Sequence, residues 1–419
     1  MLKRSEFLKY TITLVMLFLT VSAATLSQDN NYKFTIKKEV ASTPVKNQSL
    51  TSTCWSFSGL SFFESELLRM GEKPYDLSEM YIVKEAYDLK AEEYARRHGE
   101  CSFSPGGQYY DLLNITRDFG LVPDEVYPGL NYGSKIHNHD EMDAVLKGYM
   151  NGVIKTSTRT PVWMTGLDGI LEAYLGKTPT GFEYDGEYYT PKEFTKHLGL
   201  NPDDYIIVSS FEDHPYYKEA ILEVPDNWSP CTYYNLPINE LIQTIDNALM
   251  SGYSVAWAAD MKGKGFNMKK GVAIIPDKDW DSMSDEEITE LFNSPHKQKK
   301  ITQDLRQKEL GENPITGDHG MHIIGIAEDQ NGEIFYKVKN SWGATGKYDG
   351  YIFVSREYVM LKTTNCMINK NSLPLNVAQK IGIEVNPYQN GAIAAGASKA
   401  DPAIQSQPST VPVNSTQAQ

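Results

Sequence analysis

One segment organises this chain: Pro44-Val-Lys-Asn-Gln-Ser-Leu-Thr-Ser-Thr-Cys-Trp-Ser-Phe-Ser58. Apolar residues recur at helical spacing from Trp55 to Leu68, and Gly71 follows as a stop signal. This pattern predicts a long, buried helix that carries Cys54 in its first turn. The N–H groups and the dipole at a helix start favour an anion, so the position predicts a nucleophilic thiol with a lowered pKa. The alternative is a structural cysteine, because free cysteines are commonly buried and inert.

Two distant segments supply the partners that a nucleophilic cysteine needs, a base and a group that orients the base. The first reads Asp318-His-Gly-Met-His-Ile-Ile-Gly-Ile326, and the second reads Lys339-Asn-Ser-Trp-Gly343. The two histidines, His319 and His322, differ by three positions, so they face opposite sides of a strand. Only one of them can therefore share a face with Asn340.

Together with Gln48, these segments resemble the catalytic motifs of papain-like cysteine peptidases. In that family a glutamine six residues before the cysteine forms the oxyanion hole with the cysteine N–H, and Gln48 stands at that position. The resemblance implies that His319 is the base, that Asn340 holds its imidazole, and that Trp342 shields the bond between them. It also implies acyl transfer from a peptide substrate through Cys54, with no metal and no cofactor.

The choice of His319 as the base depends on the register of two predicted strands. If Glu328 pairs with Asn331, His319 lies opposite Asn340. A two-residue Asn-Gly turn that starts at Asn331 is the stronger local signal, but it would place His319 and Asn340 four positions out of register. We predict the earlier turn, because it serves the chemistry and because the family pattern has a glycine six residues after the catalytic histidine, as here.

The segment Ser104-Pro-Gly-Gly-Gln-Tyr109 resembles the cleft wall of the same family. There the backbone of the second glycine pairs with an extended peptide, and a side chain would block that approach. Our candidate substrate-binding residues are therefore Gly106, Gly107 and Trp342. For the glycine pair, the alternative is an ordinary turn before a predicted helix over Tyr109–Phe119.

The composition is that of a large globular chain: 419 residues, 41% of them hydrophobic, with 40 Lys and Arg, 54 Asp and Glu, and a net charge of −14. This length is ample for a large core and two subdomains. The acidic balance argues against nucleic acid as a partner, since phosphate binding takes clustered Lys and Arg. Four widely spaced cysteines without a CxxC pair argue against a structural zinc site. Thr51 stands where secreted papain relatives usually carry a disulfide-bonded cysteine, so this chain departs from that branch. If Cys54 is the nucleophile, three cysteines remain, and at most one disulfide can form.

Two polar segments imitate metal sites. Residues 277–288 begin like a calcium loop, but Ser282 and Ile288 occupy the places that need Gly and Glu. A capping box at Ser284, opening a helix, is the better interpretation of this segment. Residues 137–140 hold two histidines that could bind a metal, but polar groups in a loop are commonly just solvated. We therefore predict no metal ligands.

Both ends of the chain have compositions unlike that of a folded domain. Residues 1–24 combine a basic start, about a dozen apolar residues and a few small residues, which is typical of a secretory signal peptide. The alternative is a membrane anchor, but the apolar run is short for a span of about 20 residues. We therefore predict an exported protein, periplasmic or extracellular, with no stable membrane anchor. Residues 389–419 are rich in Ala, Ser, Gly, Pro, Gln and Thr, which predicts a disordered tail.

Residues 25–388 remain for the peptidase domain, and about 131–235 form an insertion relative to small papain-like enzymes. With this insertion the resemblance narrows to the bleomycin hydrolase and aminopeptidase C branch, over roughly residues 35–385. It implies an α+β, papain-like fold, in which a helical subdomain with the cysteine helix packs on an antiparallel β subdomain with His319 and Asn340.

The branch also implies a mode of action on peptides. In its members the C-terminus of the chain lies in the cleft, and its carboxylate captures the amino group of the substrate, which gives an aminopeptidase in a hexamer of intracellular subunits. This chain departs from that pattern in its export signal and its low-complexity tail, which could thread the cleft or hang free. We expect a cysteine aminopeptidase and a homo-oligomer. The alternatives are an exported endopeptidase with an open cleft and a non-catalytic binding protein on the same fold.

Overall fold

A computed structural model describes residues 31–312 and 317–386. The predicted signal peptide, residues 1–24, and the predicted tail, residues 389–419, lie outside the described residues. Within these ranges the chain combines α-helices with a large β-sheet, the α+β class that the sequence predicts. No helix in the described ranges has the length and apolar character needed to cross a bilayer.

The helices are α1 (Cys54–Met70), α2 (Glu79–Arg96), α3 (Tyr109–Asp118), α4 (Asp140–Ile154), α5 (Val162–Leu175), α6 (Pro191–His197), α7 (Ile238–Met250), α8 (Asp285–Leu291), α9 (Gln303–Glu312), α10 (Arg356–Lys362) and α11 (Leu375–Ile381). The strands are β1 (Thr35–Glu39), β2 (Phe182–Tyr184), β3 (Glu187–Tyr189), β4 (Tyr205–Ser209), β5 (Glu219–Ile221), β6 (Thr232–Asn235), β7 (Val255–Ala259), β8 (Phe266–Asn267), β9 (Val272–Ala273), β10 (His319–Glu328), β11 (Ile334–Lys339), β12 (Tyr351–Ser355) and β13 (Thr363–Asn369).

Helix α1 lies at the centre of the molecule and confirms the predicted cysteine helix. Every residue from Trp55 to Leu67 is buried, so this helix is covered on all sides. The helix begins at Cys54 and ends at Gly71, whose φ of 90° and N–H bonds to the last carbonyls form a left-handed cap. Helix α1 packs against α2 on one side and against β10 on the other, and this contact brings the cysteine to the sheet.

The two largest apolar cores of the described residues lie in the helical part and in the sheet part of the fold. One lies among α1 to α5, where Leu67 and Leu112 are fully buried. The other lies between the sheet and α7, where Trp257 and Leu249 are fully buried. The helical part and the sheet part of the fold thus each bury their own apolar residues, and they meet along α1 and β10.

The main sheet runs in the order β5-β6-β4-β13-β7-β10-β11-β12-β9-β8, and β1 pairs with β10. Its centre, from β13 to β12, is antiparallel, as predicted. The pairs β4 with β6 and β9 with β12 are parallel, so the predicted antiparallel strands form the centre of a mixed sheet. Parallel neighbours need a long connection between them. Here β5 lies between β4 and β6 in the sequence, and β10 and β11 lie between β9 and β12, so both connections are long enough.

The predicted insertion, about 131–235, is built into this fold. It contributes α4, α5, α6 and the strands β2 to β6. Strand β4 pairs with β13 and β6 pairs with β4, so the insertion extends one edge of the main sheet. Its last loop, between β5 and β6, returns to the candidate site described below.

The turn between β10 and β11 differs from the predicted one. Glu328 pairs with Ile334 and not with Asn331. The Asp329 carboxylate explains the longer turn, because its Oδ1 accepts the N–H of Asn331 at 2.8 Å and the N–H of Glu333 at 3.0 Å. The pairing at this end of the hairpin is therefore three residues away from the prediction.

A β-bulge corrects part of this difference further along the hairpin. The register shifts by one residue between Ile323 and Gly325. Past the bulge, the pairing is two residues away from the prediction. Because an even shift preserves the face of a strand, His319 and Asn340 still share one side of the sheet.

Candidate active site

The candidate site forms where the start of α1 meets the start of β10. Cys54 is the first residue of α1, and His319 is the first residue of β10. The Sγ atom of Cys54 accepts a hydrogen bond from the N–H of Gly320 at 3.2 Å. The thiol is therefore tied to the backbone of the residue that follows His319.

His319, Asn340 and Trp342 form a compact group next to Gly320, whose N–H binds this thiol. The Nε2 atom of His319 lies 2.7 Å from Oδ1 of Asn340. Because an amide oxygen only accepts hydrogen bonds, Nε2 carries the ring proton and Nδ1 keeps the lone pair of the neutral imidazole. The Trp342 ring stacks on the imidazole, with centroids 4.8 Å apart and an interplanar angle of 28°. The structure thus brings these three residues together, with Trp342 packed against the histidine ring.

Gln48 is held at the same site by Ser341. The N–H of Gln48 donates to the Ser341 carbonyl at 2.8 Å, and its Oε1 accepts from the Ser341 hydroxyl at 2.6 Å. Since the oxygen of the amide is engaged, its NH₂ group is the end available to an acceptor on a substrate. Ser341 was not among the predicted site residues, and its one signal in the sequence is its position directly after Asn340.

Burial governs the protonation of the two reactive groups. It raises the pKa of the Cys54 thiol to about 11, against the hydrogen bond from Gly320. It lowers the pKa of His319 to about 4, against the hydrogen bond with Asn340. Burial therefore opposes the lowered thiol pKa that the helix start predicts. Both shifts favour the neutral forms, a thiol and an imidazole that can accept a proton.

A cavity of about 340 Å³ opens in front of Cys54. Its walls include Trp55, the cleft wall at residues 104–109, and the carboxylates of Asp226 and Asp318. Both carboxylates add to the effect of burial in raising the pKa of the Cys54 thiol. The cavity therefore combines an apolar ring with negative charge next to the thiol.

Contacts within the chain require the two glycines of the cleft wall. A Cβ atom on Gly107 would lie 2.7 Å from the Trp55 ring, and one on Gly106 would lie 2.2 Å from the Asp226 carboxylate. Lys90 supports the wall from behind, and its ammonium donates to the Gly106 carbonyl at 2.5 Å. Lys90 and Asp226 were not predicted, because neither belongs to a local motif and only the fold brings them here.

The second histidine of the motif, His322, lies on the opposite face of β10. Its Nδ1 lies 3.0 Å from the hydroxyl of Ser61 on α1, to which the Lys339 ammonium donates at 2.7 Å. Burial, and then the charge of Lys339, hold the pKa of His322 well below its usual range. His322 therefore belongs to the packing between α1 and β10.

The segments that imitate metal sites form other structures. Ser284 caps α8, with Glu287 completing the capping box, which confirms that interpretation. The rings of His137 and His139 lie edge to face, with centroids 5.9 Å apart. Within residues 31–312 and 317–386, no three His, Cys, Asp or Glu side chains come together as a possible metal site.

Comparison with known proteins places this geometry in a family. Residues 180–389, half of the chain, match the model of the Peptidase C1-like family. This match includes His319, Asn340 and Asp226. Aminopeptidase G of Lactobacillus delbrueckii subsp. lactis is 22% identical over 401 residues, which covers 84% of this chain and 87% of the relative. Human bleomycin hydrolase is 24% identical over 389 residues, which covers 80% of this chain and 82% of the relative.

A solved structure agrees in fold. The crystal structure of PepW from Lactobacillus rhamnosis superposes with a TM-score of 0.64 at 20% identity, and the match covers 93% of this chain and 98% of that one. The chain therefore belongs to the Peptidase C1-like family, within the branch of papain-like cysteine peptidases that includes the aminopeptidases C, G and W and bleomycin hydrolase.

Proposed function

We propose that this chain is a cysteine aminopeptidase in which Cys54 is the nucleophile, His319 is the base, and Asn340 orients the base. One observation carries the proposal. Asn340 holds the imidazole at 2.7 Å, and the residue after His319 donates its N–H to the thiol. A nucleophile, a base and an orienting group in this order form the arrangement that acyl transfer needs.

We start the first chemical step from the neutral forms that burial favours. Nδ1 of His319 accepts the thiol proton while Sγ of Cys54 attacks the carbonyl carbon of the scissile peptide bond. The carbonyl electron pair moves onto oxygen, and the Gln48 amide and the Cys54 N–H stabilise this oxyanion. Such donors contribute roughly 3 kcal/mol each in comparable sites.

The remaining steps use His319 first as an acid and then again as a base. Protonated His319 donates to the leaving amine nitrogen as the C–N bond breaks, which leaves a thioester on Cys54. His319, now neutral, takes a proton from a water molecule whose oxygen attacks the thioester. The carbonyl re-forms, the C–S bond breaks, and the proton returns to the sulfur as the acid leaves.

We assign the substrate-binding residues by their positions. Gly107 lines the cavity, and its missing side chain leaves room for the Trp55 ring, so we assign its backbone to pair with substrate. Gly106 leaves room for the Asp226 carboxylate in the same wall. Trp342 packs on the His319 ring and keeps water from the His319–Asn340 bond.

Action at the amino end of peptides is supported by the names of the relatives, which are called aminopeptidases C, G and W. The test compares the rates of cleavage of a peptide with a free N-terminus and of its acetylated twin. Wild-type protein should cleave the free peptide faster, and the Cys54→Ala variant should cleave neither. Equal rates on both peptides would indicate an endopeptidase. Full activity in Cys54→Ala would overturn the cysteine mechanism.

Two further features are proposed from sequence and family resemblance. Export is supported by the composition of residues 1–24, and N-terminal sequencing of the mature protein should show a start directly after Ala23 or Ala24. The related branch forms hexamers, and we propose that this chain also forms a homo-oligomer. Light scattering tests this and should give six times the monomer mass. An unprocessed N-terminus and a monomeric mass are the contrary results.

A further inference from the structure

The candidate cavity holds a carboxylate that the proposed chemistry does not use. Asp226 lies on the loop between β5 and β6 and lines the cavity together with Cys54. This carboxylate is half-buried, and its bond from the Ser104 hydroxyl is long, at 3.4 Å. Among the described residues, no lysine or arginine nitrogen pairs with it within 4 Å. A partly buried carboxylate without a cation gains from binding one.

The loop of Asp226 is anchored to the cleft wall. The side chain of Asn227 donates to a backbone carbonyl of its own loop at 2.7 Å. The indole N–H of Trp228 donates to the Asp111 carboxylate at 3.1 Å. Asp111 belongs to the capping box of α3, the helix that follows the wall glycines. These two anchors on the residues next to Asp226 hold its carboxylate at the cavity.

The Asp226 carboxylate fits at this position because Gly106 has no side chain. A Cβ atom at Gly106 would lie 2.2 Å from one carboxylate oxygen of Asp226, so the carboxylate occupies the space that a side chain would fill. Burial raises the pKa of Asp226, and the charge of Lys90 behind the wall opposes that shift. The Lys90 ammonium itself donates to carbonyls of the wall. It therefore favours an ionised Asp226 while leaving the cavity side of the carboxylate open.

The second carboxylate at the cavity, Asp318, is differently placed. Its Oδ1 accepts the N–H of Met261 at 2.9 Å. Burial raises the pKa of Asp318, while that hydrogen bond and the nearby charge of Lys262 lower it. Asp318 thus already has a donor and a cation close to it, which Asp226 lacks on its cavity side.

We propose that Asp226 binds the ammonium group at the N-terminus of the substrate and so selects peptides with a free amino end. The inference rests on the proposed peptidase function and names the group that would set its substrate class. An ammonium supplies three donors and a positive charge, and it would replace the single long bond from Ser104. Amino-end selection would then be carried by the folded domain itself.

The test measures kcat/KM for a peptide with a free N-terminus and for its acetylated twin. The readout is the ratio of the two values, because a change in thiol reactivity affects both peptides alike. Asp226→Asn keeps the shape and removes the charge, and it should lower the ratio by roughly 10- to 100-fold. Gly106→Ala places a methyl group against the carboxylate and should lower the ratio in the same direction.

Asp318→Asn is the matched control, since it removes the other carboxylate of the cavity, and its ratio should stay near that of wild type. A wild-type preference that persists in both Asp226→Asn and Gly106→Ala would overturn the proposal and leave the aminopeptidase function intact. A wild-type protein with no preference would overturn it together with the exopeptidase mode. The Cys54→Ala result would still show separately whether the chain is a cysteine peptidase.

Discussion

The Nε2 atom of His319 lies 2.7 Å from Oδ1 of Asn340, although the two residues are not opposite each other on their strands. His322 pairs with Lys339, so Asn340 continues the register opposite Met321. His319 therefore reaches Asn340 along the diagonal of one face of the sheet. A side-chain hydrogen bond, and not strand pairing, thus sets the direction of the imidazole.

Removing this bond should cost activity. Asn340→Ala should lower kcat/KM for a free peptide by roughly a hundredfold, because a misplaced reacting group commonly costs that much. The control is Asn331→Ala in the turn at the far end of the hairpin, which should keep wild-type kinetics. Unchanged kcat/KM in Asn340→Ala would show that the imidazole needs no orienting partner.

The two histidines of the β10 motif should behave differently when replaced. His319→Ala should abolish turnover because it removes the base. His322→Ala should remain active but lower the free energy of unfolding by about 1–3 kcal/mol, since the buried bond with Ser61 is lost. Urea denaturation and peptide cleavage separate the two effects. An inactive His322→Ala beside an active His319→Ala would reverse the assignment.

The pH profile of kcat/KM should be broad. Protonation of His319, whose pKa burial lowers to about 4, removes the base, so activity should fall as the pH drops through about 4. Burial raises the pKa of the Cys54 thiol to about 11. Above that pH the Cys54–His319 pair has lost its last proton and cannot protonate the leaving amine, so activity should fall again near pH 11. An acidic limb near pH 6.5 would indicate an imidazole exposed to water.

Thiol alkylation should depend on the base. Burial raises the pKa of all four cysteines, Cys54, Cys101, Cys231 and Cys366, so none is a free thiolate near pH 7. Iodoacetamide should nevertheless modify Cys54 fastest, because His319 can take its proton. In His319→Ala, this advantage should disappear. Equal modification of all four in wild-type protein, followed by peptide mapping, would argue against the assignment of Cys54.

The parts of this site that depend on local sequence patterns could be predicted. Helix α1 was predictable from its apolar spacing and from Gly71, because a helix and its cap are set within one segment. His319 and Asn340 were predictable as a motif. Their register was not, because it depends on the Asp329 carboxylate in the turn and on a bulge beyond it.

Other features arise only from the packed chain. Asp226 is more than a hundred residues from Gly106 in sequence, and no local signal connects them. The direction of the Cys54 pKa shift was predicted from the helix start alone. Burial shifts this pKa in the opposite direction, and burial depends on how the helical part and the sheet pack around Cys54.

The most direct test of the account is to trap the acyl-enzyme. A peptide ester with a free N-terminus would be mixed with the protein, quenched in acid during turnover, and mapped by mass spectrometry after digestion. We expect the acyl group of the substrate on Cys54, accumulating within one turnover and absent from Cys54→Ala, which should also be inactive. Turnover with no acyl group on Cys54, or with undiminished rate in Cys54→Ala, would contradict the proposal that this chain is a cysteine peptidase.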